Sequence, residues 1–166
     1  MSDMDGEGLG GVQEVDAFAR ALPAGARLIG IDLGTKTLGL ALSDVTRTIA
    51  SGLTTLSRGK FSGDAPRLLA LAEEHGVGGF VLGLPINLNG TEGPRAQATR
   101  AFARNLSKLT ALPILLWDER LSTAAAERVL LEADASRRRR ATVIDKIAAT
   151  LILQGALDRL KQFHRS

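Results

Sequence analysis

A single aspartate interrupts a run that otherwise reads as a buried apolar strand, and any fold must account for it. Asp32 lies among Leu28, Ile29, Ile31, Leu33, Leu38, Leu40 and Leu42, two apolar runs separated by Gly34-Thr35-Lys36-Thr37. Runs of this length around such a turn predict a β-hairpin. Period-two alternation assigns Ile29, Ile31 and Leu33 to one face of the first strand. Leu28, Gly30, Asp32 and Gly34 then share the other, so the same-face neighbours of the carboxylate are glycines, which leave space beside it. A carboxylate in a buried strand is costly unless it is paired, hydrogen-bonded or bound to metal.

The chain has 166 residues, enough for one full core without covalent staples. Cysteine is absent, which excludes disulfides and thiolate metal sites and suits a reducing compartment. His75 and His164 stand far apart in unlike contexts, so a histidine-rich zinc site is not expected. A metal in this chain would have oxygen ligands, which favours magnesium or manganese. No apolar run reaches membrane-spanning length and the N-terminus lacks a signal-peptide pattern, so a cytoplasmic protein with no membrane partner is expected. The net charge of +3 conceals an asymmetry: residues 1–16 carry five acids and no base, leaving +8 on residues 17–166. A basic body favours a polyanionic partner.

The pattern divides into an acidic, Gly-rich, partly disordered extension over residues 1–26 and a single domain over 27–166. Residues 1–12 are expected to be disordered, and a short helix is predicted from Gln13 to Leu22. Strands are predicted at Arg27–Leu33, Leu38–Ser43, Ile49–Leu56, Gly79–Leu84 and Pro113–Trp117. Helices are predicted at Asp64–His75, Arg95–Leu109, Ser122–Ala133 and Ala141–Phe163. Three strands joined by tight turns, followed by strands alternating with helices, imply a mixed sheet covered by helices.

Two further sets of acids fall at element ends. Asp118 and Glu119 follow an apolar strand, and functional groups of α/β sheets gather at the carboxyl ends of strands. Asp145 lies beside Ile144, Ile147, Ala148, Leu151 and Ile152, near the buried stripe of the last helix. Carboxylates that meet at one sheet end repel one another unless cations neutralise them. Two divalent ions about 4 Å apart, clamping the attacking and leaving oxygens of a phosphodiester, would do so. Each acid also has an ordinary use. Asp32 can accept backbone hydrogen bonds in the turn, Asp118 and Glu119 can belong to a solvated loop, and Asp145 can complement a helix dipole.

The segments GIDLGTKTLGLALSD, GLPINLNGTEGPRAQATRAFARNL, DERLSTAAAERVL and VIDKIAATLILQ resemble the signature blocks of the YqgF (RuvX) family, described as Holliday-junction resolvases and pre-16S rRNA nucleases. The resemblance runs from about Leu28 to Leu157, in order. It implies an α/β, RNase H-like fold with a mixed five-stranded sheet and helices on both faces. It also implies a catalytic, metal-holding site of Asp32, Glu119 and Asp145 for Mg2+ or Mn2+, with Asp118 beside it. At Asn89 the family often has an aspartate, so no metal is assigned there.

Basic groups surround these blocks. Lys36 follows Asp32 closely, and the loop carrying Asn87 and Arg95 adjoins a helix N-terminus, a setting that favours anions. Arg120 follows Glu119 and can pair with an acid or a phosphate. Arg137, Arg138, Arg139 and Arg140 directly precede the helix carrying Asp145. Phosphate contacts from these residues would give salt-sensitive, sequence-independent affinity, against the alternative of solvated loops. Aromatic residues are few, which disfavours a base-stacking platform. The expected activity is a metal-dependent endonuclease on precursor rRNA or branched DNA, with rRNA preferred by analogy. A two-fold junction would favour a homodimer. The competing readings are a non-catalytic ribosome-assembly factor and an actin-like ATPase, whose first phosphate loop resembles GIDLGTKTLGLA but which uses two such domains.

Overall fold

The computed structural model describes residues 11–122 and 137–164, with side chains described over 11–122 and 146–163. The elements are β1 (Gly11–Gln13), α1 (Val15–Ala21), β2 (Arg27–Leu33), β3 (Thr37–Ser43), β4 (Ala50–Ser57), α2 (Phe61–Glu74), β5 (Val77–Leu84), α3 (Pro94–Ser107), β6 (Pro113–Asp118), a 3-10 turn (Glu119–Leu121) and α4 (Arg137–His164). One sheet runs in the order β1-β6-β5-β2-β3-β4. β2, β3 and β4 form an antiparallel meander, while β1, β6, β5 and β2 are parallel.

The sheet is six-stranded rather than five-stranded. The added strand is β1, from the glycine-rich extension, whose Gly11, Val12 and Gln13 pair with Pro113, Ile114 and Leu115. Three residues are too few to show alternation, and their pairing is set by the exposed edge of β6. The short helix that follows docks by Phe18, which is fully buried, with Val15 and Leu22 packed beside it. Residues 11–22 therefore pack against the sheet. Helix α2 starts a turn earlier than its periodicity suggests, because the Lys60 carbonyl accepts from the N–H groups of Gly63 and Asp64 at 3.0 Å each. Helix α4 starts at Arg137 rather than Ala141, so the arginine run forms its first turn. The helix expected at Ser122–Ala133 falls almost wholly on residues 123–136, outside the described residues. Among the described residues no helix is long and apolar enough to cross a membrane.

Helices cover both faces. Ile29, Ile31, Leu33, Phe80 and Leu82 pack with Leu68 of α2 and Phe102 and Leu106 of α3. Leu28, Val81 and Leu115 pack on the opposite face with Phe18 of α1 and Ile152, Leu153 and Leu157 of α4. Alternation along β2 thus places Asp32 on the α4 face. The helix approaches the strand backbone closely there. A Cβ on Gly30 would lie 2.7 Å from Leu153 Cβ and 3.0 Å from the Ala149 carbonyl. Since both neighbours belong to the helix body, Gly30→Ala should destabilise the protein by about 1–3 kcal/mol through overpacking. Urea denaturation measures this, and a variant as stable as the unsubstituted protein would contradict so close a seating of α4.

Candidate active site at the carboxyl ends of the strands

β2, β5 and β6 run parallel, so their carboxyl ends share one edge of the sheet. Asp32 stands one residue before the end of β2, opposite Gly39 of β3. On its other side Ile31 pairs with Leu82, which brings Gly83 alongside Asp32. Gly30, Gly39 and Gly83 therefore surround the carboxylate within the sheet. Asp32 is 1% exposed.

The chain turns sharply after β6, and this turn delivers the second acid. Asp118 Oδ1 accepts the Arg120 backbone N–H at 2.9 Å, capping the 3-10 turn. Its carboxylate is also gripped by the Arg120 side chain, Nε at 3.1 Å and Nη2 at 2.8 Å. With its neighbours joined outside, Glu119 points inward and is 2% exposed. Its Oε2 lies 2.8 Å from where a Cβ on Gly83 would stand. Glu119 thus uses the space that Gly83 leaves open, next to Asp32, with Ile152 of α4 closing the same space. Two buried carboxylates from different elements thus stand at one sheet edge, on either side of the space left by Gly83. Carboxylate oxygens so placed are the donor type that a hard divalent cation takes.

Among the described side chains no group of three potential metal ligands forms. Asp145 lies in α4 one turn before Ala149, the residue whose carbonyl meets β2 at Gly30. Its side chain is outside those described, as are the side chains of Arg137, Arg138, Arg139 and Arg140.

The basic and polar candidates divide. Lys36 is exposed on the turn after β2. Arg95 instead donates from Nη2 to the Leu33 carbonyl at 3.1 Å, fastening α3 to the end of β2. Asn87 donates from Nδ2 to Thr91 Oγ1 at 2.9 Å, within its own loop. Arg120 is taken up by Asp118. The sequence reading missed Arg58, which donates from Nη1 to the Gly34 carbonyl at 2.5 Å and from its backbone N–H to the Lys36 carbonyl at 2.8 Å. A lone arginine at a strand end carries no pattern that would reveal this. Arg58 and Arg95 together brace the segment that follows Asp32.

The sheet order with helices on both faces defines an RNase H-like fold. Over 81% of this chain and 96% of that one, it is similar to Thermus thermophilus RuvC in complex with Holliday junction substrate, with a TM-score of 0.50 at 14% identity. It is also similar to the yeast mitochondrial Holliday junction resolvase Ydc2, with a TM-score of 0.51 at 11% identity over 91% of this chain and 86% of that one. The family described as "RuvX: Holliday junction resolvase" matches residues 26–159, and the chain belongs to that family. Among its relatives, a candidate pre-16S rRNA nuclease of Paracoccus denitrificans is 59% identical over 154 residues, 93% of this chain and 98% of that protein. Another, of Rhodobacter capsulatus, is 60% identical over 152 residues, 92% of this chain and 96% of that protein.

The Asp118 carboxyl is held below its ordinary value of 3.8, chiefly by the Arg120 side-chain hydrogen bonds. A depressed carboxylate stabilises the fold fully above its unfolded pKa, and that contribution is lost as pH falls through the native value. Arg120→Gln should therefore raise the Asp118 midpoint toward 3.8, as read by carboxyl 13C NMR titration. A midpoint that does not move would show that the fork is not maintained in solution.

Proposed function

We propose that this protein is a divalent-metal-dependent endonuclease acting on structured nucleic acid, with the precursor of 16S rRNA as its substrate. The observation that carries this reading is that Asp32 and Glu119 are both buried at one sheet edge, Glu119 against Gly83 and Asp32 beside Gly83 on the neighbouring strand. A cradle of carboxylate oxygens that a Cβ would fill suits a hard cation such as Mg2+ or Mn2+. Asp32 and Glu119 would hold it, with Asp145 as the third ligand. When bound, the metal supplies an activated water and neutralises charge on the leaving oxygen. The protein's part is to keep the acids dry and fixed. Arg58 and Arg95 hold the β2 end, the Asp118–Arg120 fork holds the turn of Glu119, and Ile152 closes the cradle.

Phosphate attraction falls to the bases not used internally. Lys36 is exposed on the catalytic edge, and the run Arg137–Arg140 opens α4, whose C-terminal half crosses the sheet. Such contacts position a backbone without reading sequence, and they make binding fall steeply with salt. The rRNA assignment follows the descriptions of relatives near 60% identity. The family's description favours a second reading, cleavage of four-way DNA.

Cleavage assays on a pre-16S rRNA fragment and on a four-way DNA junction, each with and without Mg2+ or Mn2+, separate the two. Asp32→Asn, Glu119→Gln and Asp145→Asn should each reduce cleavage by roughly a thousandfold or more while leaving binding nearly unchanged. Undiminished, metal-independent cleavage in the purified variants would refute the metal-site reading. Cutting of the junction alone would transfer the substrate to branched DNA.

A further inference from the structure

The loop between β5 and α3 spends its polar groups on itself. Asn87 Nδ2 donates to Thr91 Oγ1 at 2.9 Å. Asn89 Oδ1 accepts the Thr91 backbone N–H at 3.0 Å and its hydroxyl at 2.7 Å. The Asn87 N–H donates to the Thr91 carbonyl at 2.9 Å, and the Gly90 N–H to the Asn87 carbonyl at 2.8 Å. Gly90 completes the corner at φ +89°, a conformation that side chains rarely adopt. At the loop's far end Arg100 grips Glu92 through two bonds of 2.7 Å.

What this organised turn presents outward is one leucine. Leu88 is 92% exposed, the highest value among the large hydrophobic residues described. Turn corners ordinarily carry polar residues or glycine, and an apolar side chain fixed in water contributes nothing to the core. The loop leaves β5 at the edge that holds Asp32 and Glu119. Gly90 borders Arg120, whose Nη1 lies 4.0 Å from where a Cβ on that glycine would stand. A lone apolar tip is too small for a protein interface, which needs a contiguous patch. It does match the apolar residues that nucleic-acid-bending proteins insert between stacked bases. No aromatic residue appears among the exposed large hydrophobics described, and Trp117 is buried.

We propose that Leu88 is a wedge that enters a base step beside the scissile phosphate, unstacking it so that the bent backbone reaches Asp32 and Glu119. This rests on the nuclease reading and adds the element that deforms the substrate. The chemistry is common to RNA and DNA, because every base presents an apolar face.

The test uses the full chain carrying Asp32→Asn, so that substrate survives, with 2-aminopurine placed at the branch of a four-way DNA and at a helix–loop boundary of a pre-16S rRNA stem. Binding should raise 2-aminopurine fluorescence several-fold in at least one of them. Leu88→Ser should abolish the rise, Leu88→Met should retain it, and affinity by anisotropy should change by less than about threefold in both. Circular dichroism melts verify that both variants fold. A rise that persists in Leu88→Ser, or no rise with the Asp32→Asn protein, overturns the wedge while leaving the nuclease reading intact. Failure to bind either nucleic acid overturns both.

Discussion

Helix α4 rests on β2 because Gly30 has no side chain, and the rest of the site depends on that contact. With the Ala149 carbonyl and Leu153 against the strand backbone, the helix closes over the face that carries Asp32. Gly83 repeats the arrangement one strand away, where Glu119 and Ile152 take the space its side chain would fill. The glycines lower the layer between helix and sheet. Two carboxylates thereby come together where water is scarce, and electrostatic interactions are strong in such a setting. A larger residue at either glycine would lift α4 or displace Glu119.

Four arginines keep the surrounding loops in place, and none of them does so through an arginine-rich motif. Arg58 and Arg95 donate to carbonyls at the end of β2, Arg100 binds Glu92, and Arg120 binds Asp118. Planar, multidentate donors suit this bracing role. Much of the positive charge near the acids is therefore structural, whereas Lys36 and Lys60 are exposed.

Alternation along Arg27–Leu33 was sufficient to place Asp32 on the face opposite Ile29 and Ile31, and the structure has it there. The carboxyl-end rule for strands pointed to Asp118 and Glu119 without choosing between them; the choice of Glu119 came from the family resemblance, and it is Glu119 that the structure buries. What escaped the sequence was decided by tertiary partners. β1 is a strand because β6 offers an unpaired edge, and its own three residues carry no signal. Arg95 was expected to meet phosphate, yet its partner is a backbone carbonyl 62 residues away in sequence. Asn87 was expected to face a ligand, but the polar groups of its loop find each other first. Side chain–backbone pairing over such distances leaves no periodicity to read.

That Asp32 and Glu119 jointly hold a divalent cation is tested most directly by anomalous diffraction from crystals grown with Mn2+. The expected result is a peak within about 2.5 Å of carboxylate oxygens from both residues, beside Gly83. Clear electron density for both side chains with no anomalous peak between them, or a peak bound elsewhere on the chain, would contradict it.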